Sequence, residues 1–185
     1  NEGVDPKTGI RRFYKMDKSK GNGVDPGTLL DERGADVARL FILFAAPPDK
    51  DLPWSEQGVQ GMSRFIDRVW RFMQTHRDPL RAGVIGGLQM DDGGLDGKAK
   101  ELHRQIHDST RRVTNDLEER YAFNTAISAC MELLNALYDC PPDDKGSGSS
   151  RRLAAAGMHR LCLLLSPFAP HLAEEIWSLL GCEGL

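Results

Sequence analysis

Apolar residues recur at intervals of three and four along most of the chain, which predicts helices rather than strands. The clearest run extends from about Ser55 to His76, and its apolar residues share one face of a helix. No segment alternates polar and apolar residues for long enough to predict a sheet. We therefore expect a mainly α fold, an antiparallel helical bundle preceded by a loop-rich region. The other predicted helices lie at about 35–46, 98–120, 124–138, 151–166 and 170–180.

Proline and glycine mark the ends of these helices. Pro47-Pro48 stops the first apolar helix, in which Asp36 is a candidate cap or first-turn carboxylate. Asp25-Pro26-Gly27 predicts a turn. Two segments, 77–97 and 140–150, are rich in glycine, proline or serine, and we expect both to be flexible connections.

Composition excludes several classes of protein. Of 185 residues, 40% are hydrophobic and 28% are charged, which is too apolar for a disordered chain. The longest apolar run, Leu40–Ala46, is far shorter than the ~20 residues that span a bilayer. The four cysteines are widely spaced, which predicts reduced thiols in a cytoplasmic protein. Because the chain opens at Asn1 rather than Met, we expect it to be a piece of a longer protein.

A basic, glycine-containing segment near the start has the composition of a phosphate-binding loop. Between residues 7 and 20, six basic residues accompany one acid, which gives a local net charge of +5 although the whole chain carries −3. Lys15 and Lys18 supply ammonium groups, and Gly21 and Gly23 allow backbone amides to approach phosphate oxygens closely. An ordinary solvated surface loop has the same composition, so the residues alone leave both interpretations open.

The same segment carries a family resemblance. Lys15-Met16-Asp17-Lys18-Ser19 resembles the Lys-Met-Ser-Lys-Ser signature of class I aminoacyl-tRNA synthetases, and its flanks resemble the leucyl-tRNA synthetases in particular. Further matches to that family follow in the same order along the chain: S-K-G-N-G-V-D-P, G-A-D-V-A-R-L-F, F-A-A-P-P-D-K-D-L-P-W-S, G-V-Q-G-M-S-R-F-I-D-R-V-W-R, A-F-N-T-A-I-S-A-C-M-E-L-L-N and L-S-P-F-A-P-H-L-A-E-E-I-W.

The resemblance implies roles for particular residues. Lys18 would contact the ATP phosphates and stabilise the transition state of leucine activation, Lys15 would support the loop, and Ser19 would hydrogen-bond within it. It also implies that residues 1–50 end a catalytic region and that residues 51–185 form an anticodon-binding-type helical bundle. The implied partners are leucine, ATP with Mg²⁺ and tRNA(Leu), for a monomeric parent enzyme with no membrane association. The fragment itself would bind no cofactor and be inactive, because the His-Ile-Gly-His type of nucleotide-binding signature is absent.

Asp17 departs from the family pattern, which has serine or another small residue at this place. A carboxylate between two lysines offsets part of their positive field. If it faces the phosphates, it should slow leucine activation.

Cationic side chains form two stripes on the predicted bundle, opposite its apolar faces. Such stripes suit a phosphate backbone, and each contact adds to the salt dependence of binding. An ordinary solvated helix face has the same pattern, because Asp67 and Glu101 lie on the same helices. The candidate tRNA-binding residues are Arg64, Arg68 and Arg71 on one helix and Lys100, Arg104 and Arg111 on the next.

The remaining chemistry-bearing residues have structural interpretations. His171, Glu174 and Glu175 have metal-ligand spacing, but we expect no metal there. We expect Trp54 to pack where the loop region meets the bundle. The aromatic residues Trp70, Phe168 and Trp177 are predicted to be core.

Two alternative functions stay open. One is another large class I synthetase, valyl, isoleucyl or methionyl. The other is a non-catalytic helical RNA-binding module with a degenerate phosphate loop, which Asp17 favours.

Overall fold

The computed structural model describes residues 2–4, 11–13, 16, 19, 23–88, 95, 97–142 and 148–183. Two short strands, β1 (Glu2–Val4) and β2 (Arg11–Phe13), form an antiparallel pair in which Gly3 lies opposite Arg12. The rest of the described chain is mainly helical. Its helices are α1 (Pro26–Arg33), α2 (Ala35–Ala45), α3 (Glu56–Thr75), α4 (Arg77–Ile85), α5 (Gly97–Asn115), α6 (Phe123–Asp139), α7 (Gly148–Leu165) and α8 (Pro170–Leu180), with a π-helical turn at Asp116–Arg120.

The helices pack as a bundle around one apolar core, which confirms the predicted fold class. Helix α5 packs along α6, α4 packs along α7, and α7 also contacts α5, α6 and α8. Helix α2 packs against α3, α6 and α8, so it is part of the same body. Fully buried core side chains come from all of these helices, among them Phe41, Phe72, Leu80, Ile106, Leu134, Met158 and Ile176.

Residues 77–85 form helix α4 rather than the start of the predicted 77–97 loop. Pro79 lies in the first turn of α4, where backbone N–H groups make no hydrogen bond within the helix. The missing N–H of this proline therefore does not interrupt α4. Gly83 is buried because α4 meets α7 very closely there. A Cβ at Gly83 would lie 2.5 Å from the Ala155 Cβ and 2.8 Å from the Arg151 carbonyl oxygen. This glycine therefore serves a close helix contact and not a loop.

The predicted turn at Asp25-Pro26-Gly27 is the beginning of α1. Asp25 is the N-cap, and its Oδ1 accepts a hydrogen bond from the Gly27 N–H at 3.0 Å. Pro26 occupies the first helical position, where its missing N–H costs nothing. Helix α3 is likewise capped at its start, by Ser55, whose Oγ accepts a hydrogen bond from the Gly58 N–H at 3.1 Å.

The aromatic residues divide between core and surface. Phe168 is buried, as predicted. Trp54 packs edge-on against Phe41, with ring centroids 5.1 Å apart, where the segment before α3 meets α2. Trp177 is half-buried and stacks on His159 at 4.6 Å. The prediction that Trp70 is core is wrong: it is 36% exposed, because it lies at the edge of the apolar face of α3.

Candidate functional site

The predicted phosphate loop lies mostly outside the described residues. Lys15, Asp17 and Lys18 belong to that undescribed part. Ser19 is described and exposed, and Met16 is half-buried.

The α3 stripe contains arginines in two different environments. Arg64 and Arg71 are exposed. Arg68 is half-buried, and its Nη2 donates a 2.7 Å hydrogen bond to Asn135 Oδ1 on α6. Its guanidinium carbon lies 5.2 Å from the ring centroid of Tyr138, whose hydroxyl donates to the Arg68 carbonyl oxygen at 2.8 Å. Arg68 thus connects α3 to α6, whereas its two neighbours face solvent.

The α5 stripe is largely neutralised by acids on the same helix. Arg104 pairs with Glu101, three residues away, and this hydrogen bond holds the pKa of the Glu101 carboxyl below its usual range. Arg111 pairs with Asp108 at 2.7 Å, and this pairing likewise lowers the pKa of Asp108. Lys100 is exposed. The local net charge of this face is consequently lower than the basic residues alone suggest.

An open groove of about 410 Å³ runs between α5 and α6. Its charged lining residues are Lys98, Glu101, Glu132 and Asp139, so acids outnumber bases. Of these residues, Glu132 is paired with Arg112 across the two helices. This acidic lining makes the groove unsuited to a phosphate backbone.

The carboxylate of Asp36 lies at the beginning of α8. Its Oδ2 accepts a 2.7 Å hydrogen bond from the Leu172 N–H, and its Oδ1 lies 2.9 Å from His171 Nδ1. Asp36 is buried and occupies the first turn of α2, as the sequence suggested. Its carboxylate, however, caps α8, a helix more than 130 residues further along the chain.

Arg39, one turn later in α2, binds the segment between α7 and α8. Its Nη2 donates to the Pro167 carbonyl oxygen at 2.8 Å and its Nε to the Phe168 carbonyl oxygen at 3.2 Å. We call the set Asp36, Arg39, Pro167, Phe168, His171 and Leu172 the α2–α8 joint. Sequence reasoning missed this joint, although Asp36 and Arg39 are the only charged residues in an otherwise apolar α2.

His171 is therefore a partner of Asp36. Within the described residues, no group of three or more His, Cys, Asp and Glu side chains is arranged to hold a metal ion. Burial raises the pKa of the Cys130 thiol to about 12 and that of the Cys162 thiol to about 12. These two thiols stay protonated at neutral pH, so neither supplies a thiolate nucleophile.

A known protein family matches the second half of the chain. Residues 99–184 match the family described as the anticodon-binding domain of tRNA ligase. This range contains most of α5 and all of α6 to α8, and therefore the α8 side of the α2–α8 joint.

Almost the whole chain is similar to leucine–tRNA ligases, which confirms the resemblance drawn from the motifs. It is 49% identical to the leucine–tRNA ligase of Geotalea uraniireducens over 93% of the chain, and 48% identical to that of Trichormus variabilis over 98%. In each case the chain spans only 20% of the relative's length.

Solved structures agree with this assignment. The agnB2 LeuRS of Agrobacterium radiobacter K84, solved as a ternary complex with tRNA and LeuAMS, is 35% identical with a TM-score of 0.79, covering 92% of this chain and 21% of that one. A methionyl-tRNA synthetase of Mycobacterium tuberculosis shares the fold, with a TM-score of 0.60 at 18% identity over 86% of this chain and 35% of that one. None of the described helices is both long and apolar enough to cross a membrane.

Proposed function

We propose that this chain is part of a leucine–tRNA ligase, an enzyme that activates leucine with ATP and transfers it to tRNA(Leu). The observation that carries the proposal is sequence identity near one half across 93–98% of the chain. The identity therefore extends beyond the helical domain into the region of the basic loop. The parent enzyme is proposed to act as a monomer in the cytoplasm.

Lys18 is proposed to contact the phosphates of ATP, with Lys15 helping to position the loop and Ser19 hydrogen-bonding within it. Mg²⁺ accompanies the nucleotide as part of the substrate. The leucine carboxylate attacks the α-phosphorus, the bond to the leaving pyrophosphate breaks, and negative charge grows on the phosphoryl oxygens. A lysine that meets this charge in the transition state speeds the reaction more than one that only binds ATP. The chain spans about a fifth of its relatives, so we expect no activity from it alone.

The outer faces of α3 and α5 are proposed to contact the phosphate backbone of tRNA. Arg64, Arg71 and Lys100 are exposed and should contribute most. The other three members of the stripes should contribute less, because each must leave an existing partner to reach a phosphate. Arg68 is paired with Asn135, Arg104 is paired with Glu101, and Arg111 is paired with Asp108.

Leucine-dependent exchange of pyrophosphate into ATP tests the proposal on the full-length parent. The wild type should show exchange with leucine. Lys18→Ala should reduce the rate of this exchange about a hundredfold or more, while the melting temperature stays the same. Asp17→Ser should raise the rate if the carboxylate faces the phosphates. Exchange with valine, isoleucine or methionine instead of leucine would indicate a different synthetase. No exchange with any of the four would indicate a helical RNA-binding module.

A further inference from the structure

The α2–α8 joint matches opposite charges to opposite helix ends. The Asp36 carboxylate meets the amide end of α8, where the helix dipole is positive. The Arg39 guanidinium meets carbonyl oxygens just after the end of α7, where the helix dipole is negative. Both side chains leave the same turn of α2. This geometry fixes the rotation of α2 about its axis as well as its position on the bundle.

A buried charge is a costly way to obtain stability alone. Asp36 is only 8% exposed, and an apolar residue of similar size in contact with α8 would avoid the desolvation of its carboxylate. Directional hydrogen bonds, by contrast, form in one relative arrangement of α2 and α8 and are weakened when either helix shifts or rotates. The joint is therefore better suited to setting an orientation than to adding free energy.

The two sides of the joint belong to parts with different proposed roles. Helix α2 follows α1, which begins eight residues after Lys18 of the basic loop. Helix α8 lies inside residues 99–184, the range that matches the anticodon-binding domain. The joint thus links the segment that follows the basic loop in the sequence to the helices that match the anticodon-binding domain.

We propose that Asp36 and Arg39 are positioning residues for the transfer of leucine to tRNA, an inference that rests on the proposed function. They hold the bundle in the orientation that brings the 3′ end of a docked tRNA to the catalytic region. Formation of leucyl-adenylate uses only leucine and ATP, so it does not depend on this orientation. Transfer to tRNA does, because reacting groups must meet in a narrow range of geometry.

The test compares two reactions of the full-length parent in the variants Asp36→Asn and Arg39→Gln. Asp36→Asn removes the charge and keeps the shape. Arg39→Gln changes an exposed side chain and leaves no buried charge without a partner. Matched controls are Asp31→Asn and Arg33→Gln, which make the same chemical changes on the exposed surface of α1.

The kcat of tRNA leucylation should fall about tenfold in both joint variants, with the KM for tRNA(Leu) and pyrophosphate exchange within about twofold of wild type. The controls should match the wild type in all three quantities. Unchanged leucylation in Arg39→Gln, or an equal fall in exchange and leucylation, would overturn the inference, even if Asp36→Asn fails to fold. A wild type without leucine-dependent exchange would instead overturn the proposed function.

Discussion

Charged side chains are arranged in opposite ways at the α2–α8 joint and on the outer face of α5. On α5, Arg104 and Arg111 pair with acids three residues away on the same exposed helix surface. At the joint, Asp36 and Arg39 bind groups 128 to 136 residues distant, and Asp36 is buried. Pairs within one exposed helix contribute little to folding, because water and salt replace them easily. Links between distant segments define the tertiary structure.

The largest expected effect is the loss of the buried carboxylate at the joint. Asp36→Ala leaves the Leu172 N–H at the beginning of α8 without its acceptor. The free energy of unfolding of this chain should fall by about 2 kcal/mol, the upper range for the loss of a helix cap. Urea denaturation followed by circular dichroism measures the change. Asp31→Ala on α1 is the control and should change stability by about 0.5 kcal/mol or less; equal losses in the two variants would remove the distinction between the joint and the surface.

Arg68 tests whether a residue of the predicted tRNA-binding stripe behaves like the joint. Its side chain links α3 to Asn135 and Tyr138 of α6, so Arg68→Ala should destabilise the chain by about 1 kcal/mol. Arg64→Ala, four residues earlier and exposed, should have no measurable effect on the midpoint of urea denaturation. A stable Arg68→Ala protein would place Arg68 with the solvent-facing stripe.

Much of the bundle could be predicted from the sequence because each long helix carries a regular apolar face. The face of α3, with Val59, Met62, Phe65 and Val69 buried, has this form. Helix α4 was missed because its length is only nine residues and it contains proline and glycine, which are breakers when read locally. Pro79 is harmless in a first turn, and Gly83 is required by the approach of α7. The approach of α7 belongs to the tertiary structure, so local sequence patterns do not reveal it.

The candidate site, too, could be predicted only in part from the sequence. The spacing of Arg64, Arg68 and Arg71 predicts that they share one side of a helix, but it does not show that Arg68 turns towards α6. The joint was missed because its two sides are separated by more than 120 residues. An aspartate and an arginine in an otherwise apolar helix were the available signal, and they predict a partner without identifying it.

A smaller effect is expected from one exposed cation on α3. Arg64→Gln should weaken binding of tRNA(Leu) to the full-length parent about threefold and reduce the slope of log K against log salt by about 1, because one phosphate contact is lost. Arg104→Gln should change the slope less, since Arg104 is already paired with Glu101. Titrations at several salt concentrations measure both. Equal slope changes in the two variants would show that pairing within α5 does not limit contact with phosphate.

The smallest expected effect concerns the pH dependence of the α5 pairs. Arg111 lowers the pKa of Asp108 in the folded protein below its ordinary value of 3.8. A lowered carboxyl pKa contributes stability that is fully present above the unfolded value and is lost as pH falls through the folded value. Between pH 7 and 5, the stability of wild type and that of Asp108→Asn should therefore change with pH in the same way. The two stability curves should converge only in stronger acid. Urea midpoints measured at steps from pH 7 downwards check this. Convergence already near pH 6 would mean that another group, and not the exposed α5 pair, controls the trend.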